Sequence, residues 1–329
     1  MVTRAGEQEQ RHFVGRGGQR LGARRRTLGR RSLQVVVVVA LVAVVAYVVI
    51  CGRMALVLTE PSRQPFLSSP EQYGLAYESV TFPSRVDAIP LDGWLLLPPA
   101  DAPARRPIVA VHGRASDRTR EADGHLLEIA AALVRDGHPV LLFDLRGSGR
   151  SGGVRYTLGV LEVRDVGGAI DFLQQRGLVT DGADLLGYSM GASTALLLAP
   201  NEPSVHAIVE DSGYAELASL LADQVPRYSG LPGIFTPGMV LLARPLVGID
   251  AYAIRPIDGV PSLAARGVPL LVIHGEADAT VPVDHGYRLA AAYGAGAQTL
   301  FVPGAGHVRS YATEPETYLA RVIAFFDGV

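Results

Sequence analysis

A short apolar run over residues 183–186 enters Gly187-Tyr188-Ser189-Met190-Gly191, and residues 192–198 continue it as a helical pattern rich in Ala and Leu. Few backbone arrangements accept that order. A strand that turns sharply into a helix around one serine crowds its own two arms, so the flanking positions must be small. The serine side chain is then held above the edge of a sheet, at the positive end of the helix. A G-x-S-x-G in an ordinary loop arises often by chance; its place between strand and helix is what makes this one informative.

The remaining chain supplies a sheet that could carry such a turn. Runs of β-branched and aliphatic residues predict strands over 77–82, 91–97, 107–112, 138–143, 205–210, 269–274 and 298–302, besides 183–186. Helical patterns over 121–135, 158–175, 192–198 and 316–326 fall between or after them. This alternation is the signature of an open, mostly parallel sheet flanked by helices, so the expected fold class is α/β. The first two strands flank a turn with Asp87 and Pro90 and read as an antiparallel pair. Residues 214–263 exceed a normal crossover, and Pro226, Pro232, Pro237, Pro245, Pro256 and Pro261 are expected to break them into short pieces. That interval reads as a small cap over the C-terminal edge of the sheet, or as an irregular insertion with no part in binding.

A serine hydroxyl is almost fully protonated at neutral pH and becomes a nucleophile only beside a base, which in turn needs an acid to fix its tautomer. Both partners must come from strand ends on the same edge as Ser189. Residues 270–273 run into His274-Gly275-Glu276-Ala277-Asp278, which places Asp278 just past a strand. Residues 300–302 run into Pro303-Gly304-Ala305-Gly306-His307, where small residues let a loop bring the imidazole close. Glu276 and Asp284 are rival acids, but Glu276 leaves the strand too early and Asp284 begins the next helix.

Five landmarks carry a resemblance: Val111-His112-Gly113, the run Phe143-Asp144-Leu145-Arg146-Gly147-Ser148-Gly149-Arg150-Ser151, the serine turn, His274 to Asp278, and Gly304 to His307. From about Tyr73 to Val329 the chain resembles the α/β-hydrolases, near their lysophospholipase-like and serine-aminopeptidase-like branch, with the order Ser, Asp, His that this fold uses. The resemblance implies Ser189 as nucleophile, His307 as general base and Asp278 as orienting acid. It also implies an oxyanion hole made by the backbone N–H groups of Arg114 and Met190. The expected reaction is hydrolysis of a carboxylic ester, a lipid or acyl ester included, without a cofactor. A peptidase or amidase is the alternative, and it calls for an acidic subsite from Glu210, Asp211, Glu216 or Asp223. A membrane-tethered binding module without turnover is the alternative outside the enzymes.

The N-terminal part reads separately. Residues 35–51 are continuously apolar, then meet Gly52 and Arg53 before a second apolar run, 54–58. With Arg53 snorkelling, 35–58 is long enough to span a bilayer. No Ala-x-Ala pattern follows, and Ile50 before Cys51 is too large for a lipoprotein cleavage site, so an uncleaved anchor is expected. A buried core helix is the bland alternative. Residues 1–34 carry nine Arg against Glu7 and Glu9 in a chain whose net charge is −2, which places this tail in the cytoplasm and the rest outside it. Residues 59–70 read as a short extended tether, and 71–329 as the catalytic domain.

Other functions fit poorly. The chain has no Lys, so its arginine run weakly suggests nucleic acid, and nucleic acid binding is not expected. The lone Cys51 allows neither an internal disulfide nor a thiolate metal site. No H-E-x-x-H or ligand spacing among the histidines implies a metal. The glycines around Ser148 lack the pattern and the lysine of a phosphate loop, which leaves Asp144 and Arg146 as residues that steady it.

Overall fold

Among the residues described by the computed structural model, 17–61 and 63–329, eight aliphatic runs lie side by side in one sheet. They are β1 (Tyr77–Pro83), β2 (Pro90–Leu96), β3 (Ile108–Val111), β4 (Val140–Phe143), β5 (Ala183–Tyr188), β6 (Val205–Asp211), β7 (Leu270–Gly275) and β8 (Gln298–Val302). Their spatial order is β1-β2-β4-β3-β5-β6-β7-β8. The pairs β1/β2 and β2/β4 are antiparallel, and every other pair is parallel. The serine strand β5 is therefore central, and β6, β7 and β8 follow it outward.

Parallel strands need crossovers, and helices supply them. These are α2 (Leu126–Arg135), α3 (Glu162–Gln175), α4 (Met190–Leu198), α5 (Leu217–Ser229), α6 (Phe235–Val247), α7 (Pro256–Arg266), α8 (Asp284–Tyr293), α9 (Ser310–Thr313) and α10 (Pro315–Asp327), after an N-terminal α1 (Gly17–Leu58). Alternation along the strands sends Ile108, Ala110, Leu142, Leu186, Val209 and Ile273 into one core with Leu127, Leu133, Tyr318, Val322 and Phe325 of α2 and α10. The residues between them, such as Val109, Leu141, Leu185 and Val272, are equally buried toward the opposite face, where α3 and α4 pack on each other and α7 packs on α4 and α8. Both faces covered explains why the central strands read as unbroken apolar runs.

The interval 214–263 holds α5, α6 and most of α7. Pro226, Pro245 and Pro261 lie inside helices instead of breaking them. Each gives up one N–H bond to the preceding turn, whereas Pro256 starts α7 where its missing N–H is free of consequence. Because α7 belongs to the layer flanking the sheet, α5 and α6 are the part of the insertion left for a cap.

The chain divides into a unit ending at Cys51 and a second unit, Gly52–Val329. Residues 30–58 form the one helical stretch among the described residues that is long and apolar enough to cross a membrane. Its 29 residues extend about 43 Å, against a hydrocarbon core of about 30 Å. Residues 1–16 of the basic tail lie outside the described residues. Residues 59–70, expected as a short extended tether, are fastened to the domain at several points. Thr59 accepts from Arg155 through its hydroxyl and from the Tyr156 N–H through its carbonyl. Arg63 donates to the carbonyls of Gly149 and Gly153 at 3.0 Å each, and the Phe66 ring lies edge-on to Trp94. The segment is extended, as its prolines require, but its carbonyls and its one aromatic ring fasten it to the domain.

Phe66 and Trp94 also both lie against a buried guanidinium, that of Arg118, at 4.9 and 4.7 Å from the ring centres. Arg118 is held by the carboxylates of Asp92 and Asp144, with its Nη2 2.6 Å from Asp144. Asp144 in turn accepts from the Arg150 N–H. Arg146 binds Asp165 and Asp87 in the same way, so Asp144 and Arg146 are both spent on the shape of the glycine-rich loop. Removing one partner leaves the other charge buried and alone. Arg118→Ala is accordingly expected to destabilise the domain by about 3–5 kcal/mol, read as a lower urea midpoint; an unchanged midpoint would show that water or a neighbour replaces the cation.

Candidate active site

The turn after β5 is strained where the sequence puts the serine. Ser189 has φ 51° and ψ −118°, a conformation that costs an L-residue about 1–3 kcal/mol and persists only where the surroundings enforce it. The enforcement comes from its flanks. A Cβ on Gly187 would sit 2.6 Å from the Ala192 Cα, and one on Gly191 would sit 2.1 Å from the Val111 carbonyl oxygen. Only glycine lets α4 start directly against β3 and β5. The Ser189 N–H is fixed by the Asp211 carbonyl of β6 at 2.8 Å.

The loops after β7 and β8 bring the other two side chains to the same edge. They are tied together: the N–H groups of Glu276 and Ala277 donate to the carbonyls of Val302 and Ala305. His307 lies between the other two, with Nε2 2.9 Å from Ser189 Oγ and Nδ1 2.7 Å from Asp278 Oδ2. Ser189, Asp278 and His307, drawn from positions far apart in the chain, therefore converge. Glu276 is exposed, and Asp284 opens α8 with an exposed carboxylate near Arg288, so neither rival acid contacts the imidazole.

Asp278 is prepared as an acceptor. Its Oδ1 takes the N–H groups of Thr280 and Val281 at 2.7 and 2.8 Å. Its side chain is fully enclosed, and His274 Nε2 lies 3.4 Å from Oδ2. Burial alone would raise its pKa; the hydrogen bonds from His274 and His307 overcome that and hold it at about 2.

The donors expected for an oxyanion belong to Met190 and Arg114, next in the chain to Ser189 and Gly113. Met190 is the first residue of α4, so its N–H belongs to the group that has no carbonyl partner within a helix. Gly113 packs so closely that a Cβ there would lie 3.0 Å from the Ser189 Cβ. The Gly113 N–H is taken by Glu121 Oε2 at 2.5 Å, which leaves the next residue, Arg114, with its side chain exposed. His112 shapes the same loop, accepting the Leu145 N–H on Nε2 at 2.9 Å.

Sequence reasoning missed two supports. Glu121 fixes the loop ahead of Arg114. Ser212 bridges Asp211 and the Val308 N–H, beside His307. No local pattern marks either: Ser212 and Val308 are 96 positions apart. The acids suggested for an amino-terminus subsite are placed elsewhere. Glu210 and Asp211 are enclosed at the end of β6, where burial pushes them up to about 8 and about 6. Glu216 is paired with Arg255 and Arg288, and Asp223 lies exposed on α5.

A mostly parallel eight-stranded sheet with such a serine turn at the C-terminal end of a central strand defines a class, and comparison agrees. The Alpha/beta hydrolase family matches residues 108–321, and the chain belongs to that family. An uncharacterized protein of Mycobacterium tuberculosis is 30% identical over 295 residues, which cover 89% of this chain and 92% of the relative. Human Protein ABHD12B is 30% identical over 188 residues, covering 55% of this chain and 48% of that protein. Among solved structures, the Pyrococcus furiosus esterase Pf2001 aligns with a TM-score of 0.67 at 23% identity, covering 82% of this chain and 97% of the esterase.

Proposed function

We propose that this chain is a serine hydrolase that cleaves carboxylic esters, with acyl or lipid esters as the favoured substrates. One observation carries the reading: a single imidazole, His307, spans Ser189 at 2.9 Å and Asp278 at 2.7 Å. As His307 Nε2 takes the hydroxyl proton, Ser189 Oγ bonds to the carbonyl carbon and the carbonyl oxygen becomes an anion. The Met190 and Arg114 N–H groups receive that anion, and each such donor is typically worth about 3–4 kcal/mol in the transition state. Collapse expels the alcohol, which leaves with the proton from His307. Water, deprotonated by the same nitrogen, then releases the acid from Ser189. Asp278 stabilises the imidazolium in both steps without itself taking the proton.

Esters are favoured over aminoacyl amides because, of the four acids that could bind a free amino terminus, Glu210 and Asp211 are buried, Glu216 is already paired and only Asp223 stands exposed, on α5. Purified full-length protein is expected to hydrolyse a p-nitrophenyl ester series, with an optimum at medium to long acyl chains. Rates that fall steadily from acetate upward would count against an acyl pocket, and a folded protein inert on the whole series while active on aminoacyl amides would replace the esterase reading.

The apolar helix is proposed as an uncleaved anchor with its N-terminus in the cytoplasm. The arginine excess ahead of it supports that orientation. Protease added to intact cells is expected to degrade the domain and spare the tail; the reverse pattern would invert the topology.

A further inference from the structure

Helix α6 has no charged residue except Arg244 and no acidic residue at all. Its inner face buries Thr236, Gly238, Met239, Val240 and Ala243. The outer face carries Pro237, Leu241 and Pro245, all exposed and four residues apart, so they line up along one side. Leu241 is 75% exposed and Leu246 47%. A helix with one charged residue and apolar side chains on its outer as well as its inner face leaves a surface that water does not favour. Tyr228 and Tyr252, which bracket the α6 segment in the chain, are 67% and 68% exposed, and amphipathic rings suit a bilayer interface.

What covers that face is indicated by the neighbouring chain. Residues 52–58, the last turns of the apolar span, belong to the same unit as α6. Gly52 meets the C-terminal end of α6: a Cβ there would be 3.5 Å from Leu246 Cδ1. Past Leu58 the chain does not lift away, because Thr59 and Arg63 are bonded to the domain. Arg53, next to Gly52, is exposed and adds positive charge beside the contact, which suits anionic headgroups, whereas Arg244 is paired with Asp250 at 3.5 Å.

We propose that α6 is a second membrane-contacting element, with its Pro237, Leu241 and Pro245 face seated in the interfacial layer of the bilayer that holds the anchor. The proposal rests on the reading of the apolar helix as an anchor. It ties the insertion, which the sequence reads as a cap, to the lipid surface.

The test uses the full chain in phosphatidylcholine vesicles with single tryptophans introduced at Leu241, Val44 or Val86; the native Trp94 is 5% exposed and serves as background. Leu241 and Val86 are both well exposed, so the new ring is tolerated. Replacing the lipid by its acyl-chain-brominated form is expected to remove most of the added emission of Val44→Trp and a large part of that of Leu241→Trp and to leave Val86→Trp unchanged, because an interfacial apolar face reaches about 5–10 Å into the headgroup–acyl boundary, where acyl-chain bromine can quench it. Quenching of Val44→Trp without Leu241→Trp would overturn the proposal and leave the anchor standing. A detergent-solubilised dimer together with that pattern would assign the face to a second copy. Absence of quenching at Val44 would remove the anchor, and the proposal with it.

Discussion

Ser189→Ala is expected to lower kcat for ester hydrolysis by on the order of 10⁶-fold, while KM changes little and the fold is unchanged. Alanine removes the only atom that bonds to the acyl carbon, and His307 is left to activate water from a position shaped for a hydroxyl. The backbone has no reason to relax. Ser189 holds φ 51° because Gly187 and Gly191 pack against Ala192 and Val111, and those contacts do not involve its side chain. Equal thermal unfolding of variant and wild type checks this point. Residual activity within about tenfold of wild type would mean that another group does the chemistry, since loss of a nucleophile leaves only binding and oxyanion stabilisation.

The second large effect is expected at Asp278. In Asp278→Asn the carboxamide oxygen can keep the Thr280 and Val281 N–H groups that now bind Oδ1. Its NH₂ then faces His307 Nδ1. The imidazole is forced to accept there and to carry its proton on Nε2, the nitrogen that must take the proton of Ser189. A drop of about 10⁴-fold in kcat follows from the wrong tautomer alone. Glu276→Gln, at an exposed carboxylate, is expected to stay near wild type; the opposite ranking would reassign the acid.

The same residue has a stability signature. Asp278 sits at about 2 in the folded chain against an ordinary 3.8, so its ionised form favours the fold. That contribution, about 2 kcal/mol, is complete above the ordinary value and lost as pH falls from about 4 to about 2. The stability gap between wild type and Asp278→Asn is therefore expected to narrow over that window. A gap that stays constant from neutral pH to pH about 2 would show that the carboxylate is not held below its ordinary range.

Much of this architecture was legible because buried parallel strands must be apolar throughout and glycines must stand where backbones collide. The strand runs and the serine turn obey both rules, and Asp278 and His307 follow from strand ends. Helix starts were less legible. The pattern over 121–135 reads as helix from Glu121, yet Ala122 and Asp123 take φ 53° and 57° and α2 begins only at Leu126. The Glu121 carboxylate is drawn to the Gly113 N–H, a tertiary demand that no local periodicity reports. Leu158 is likewise at φ 54°, and Glu162 turns its buried carboxylate onto the N–H groups of Thr157 and Gly159, so α3 starts four residues late. The fastening of Arg63 depends on partners 86 and 90 positions away, which composition cannot show.

The most direct measurement is the site of covalent capture by a fluorophosphonate, which reports an activated serine whatever the natural ester is. Intact-mass analysis of full-length protein after treatment is expected to show one adduct, peptide mapping to place it on Ser189, and His307→Ala to abolish it. A folded protein that takes no adduct, or takes it on another residue, would contradict the assignment of Ser189 as the nucleophile.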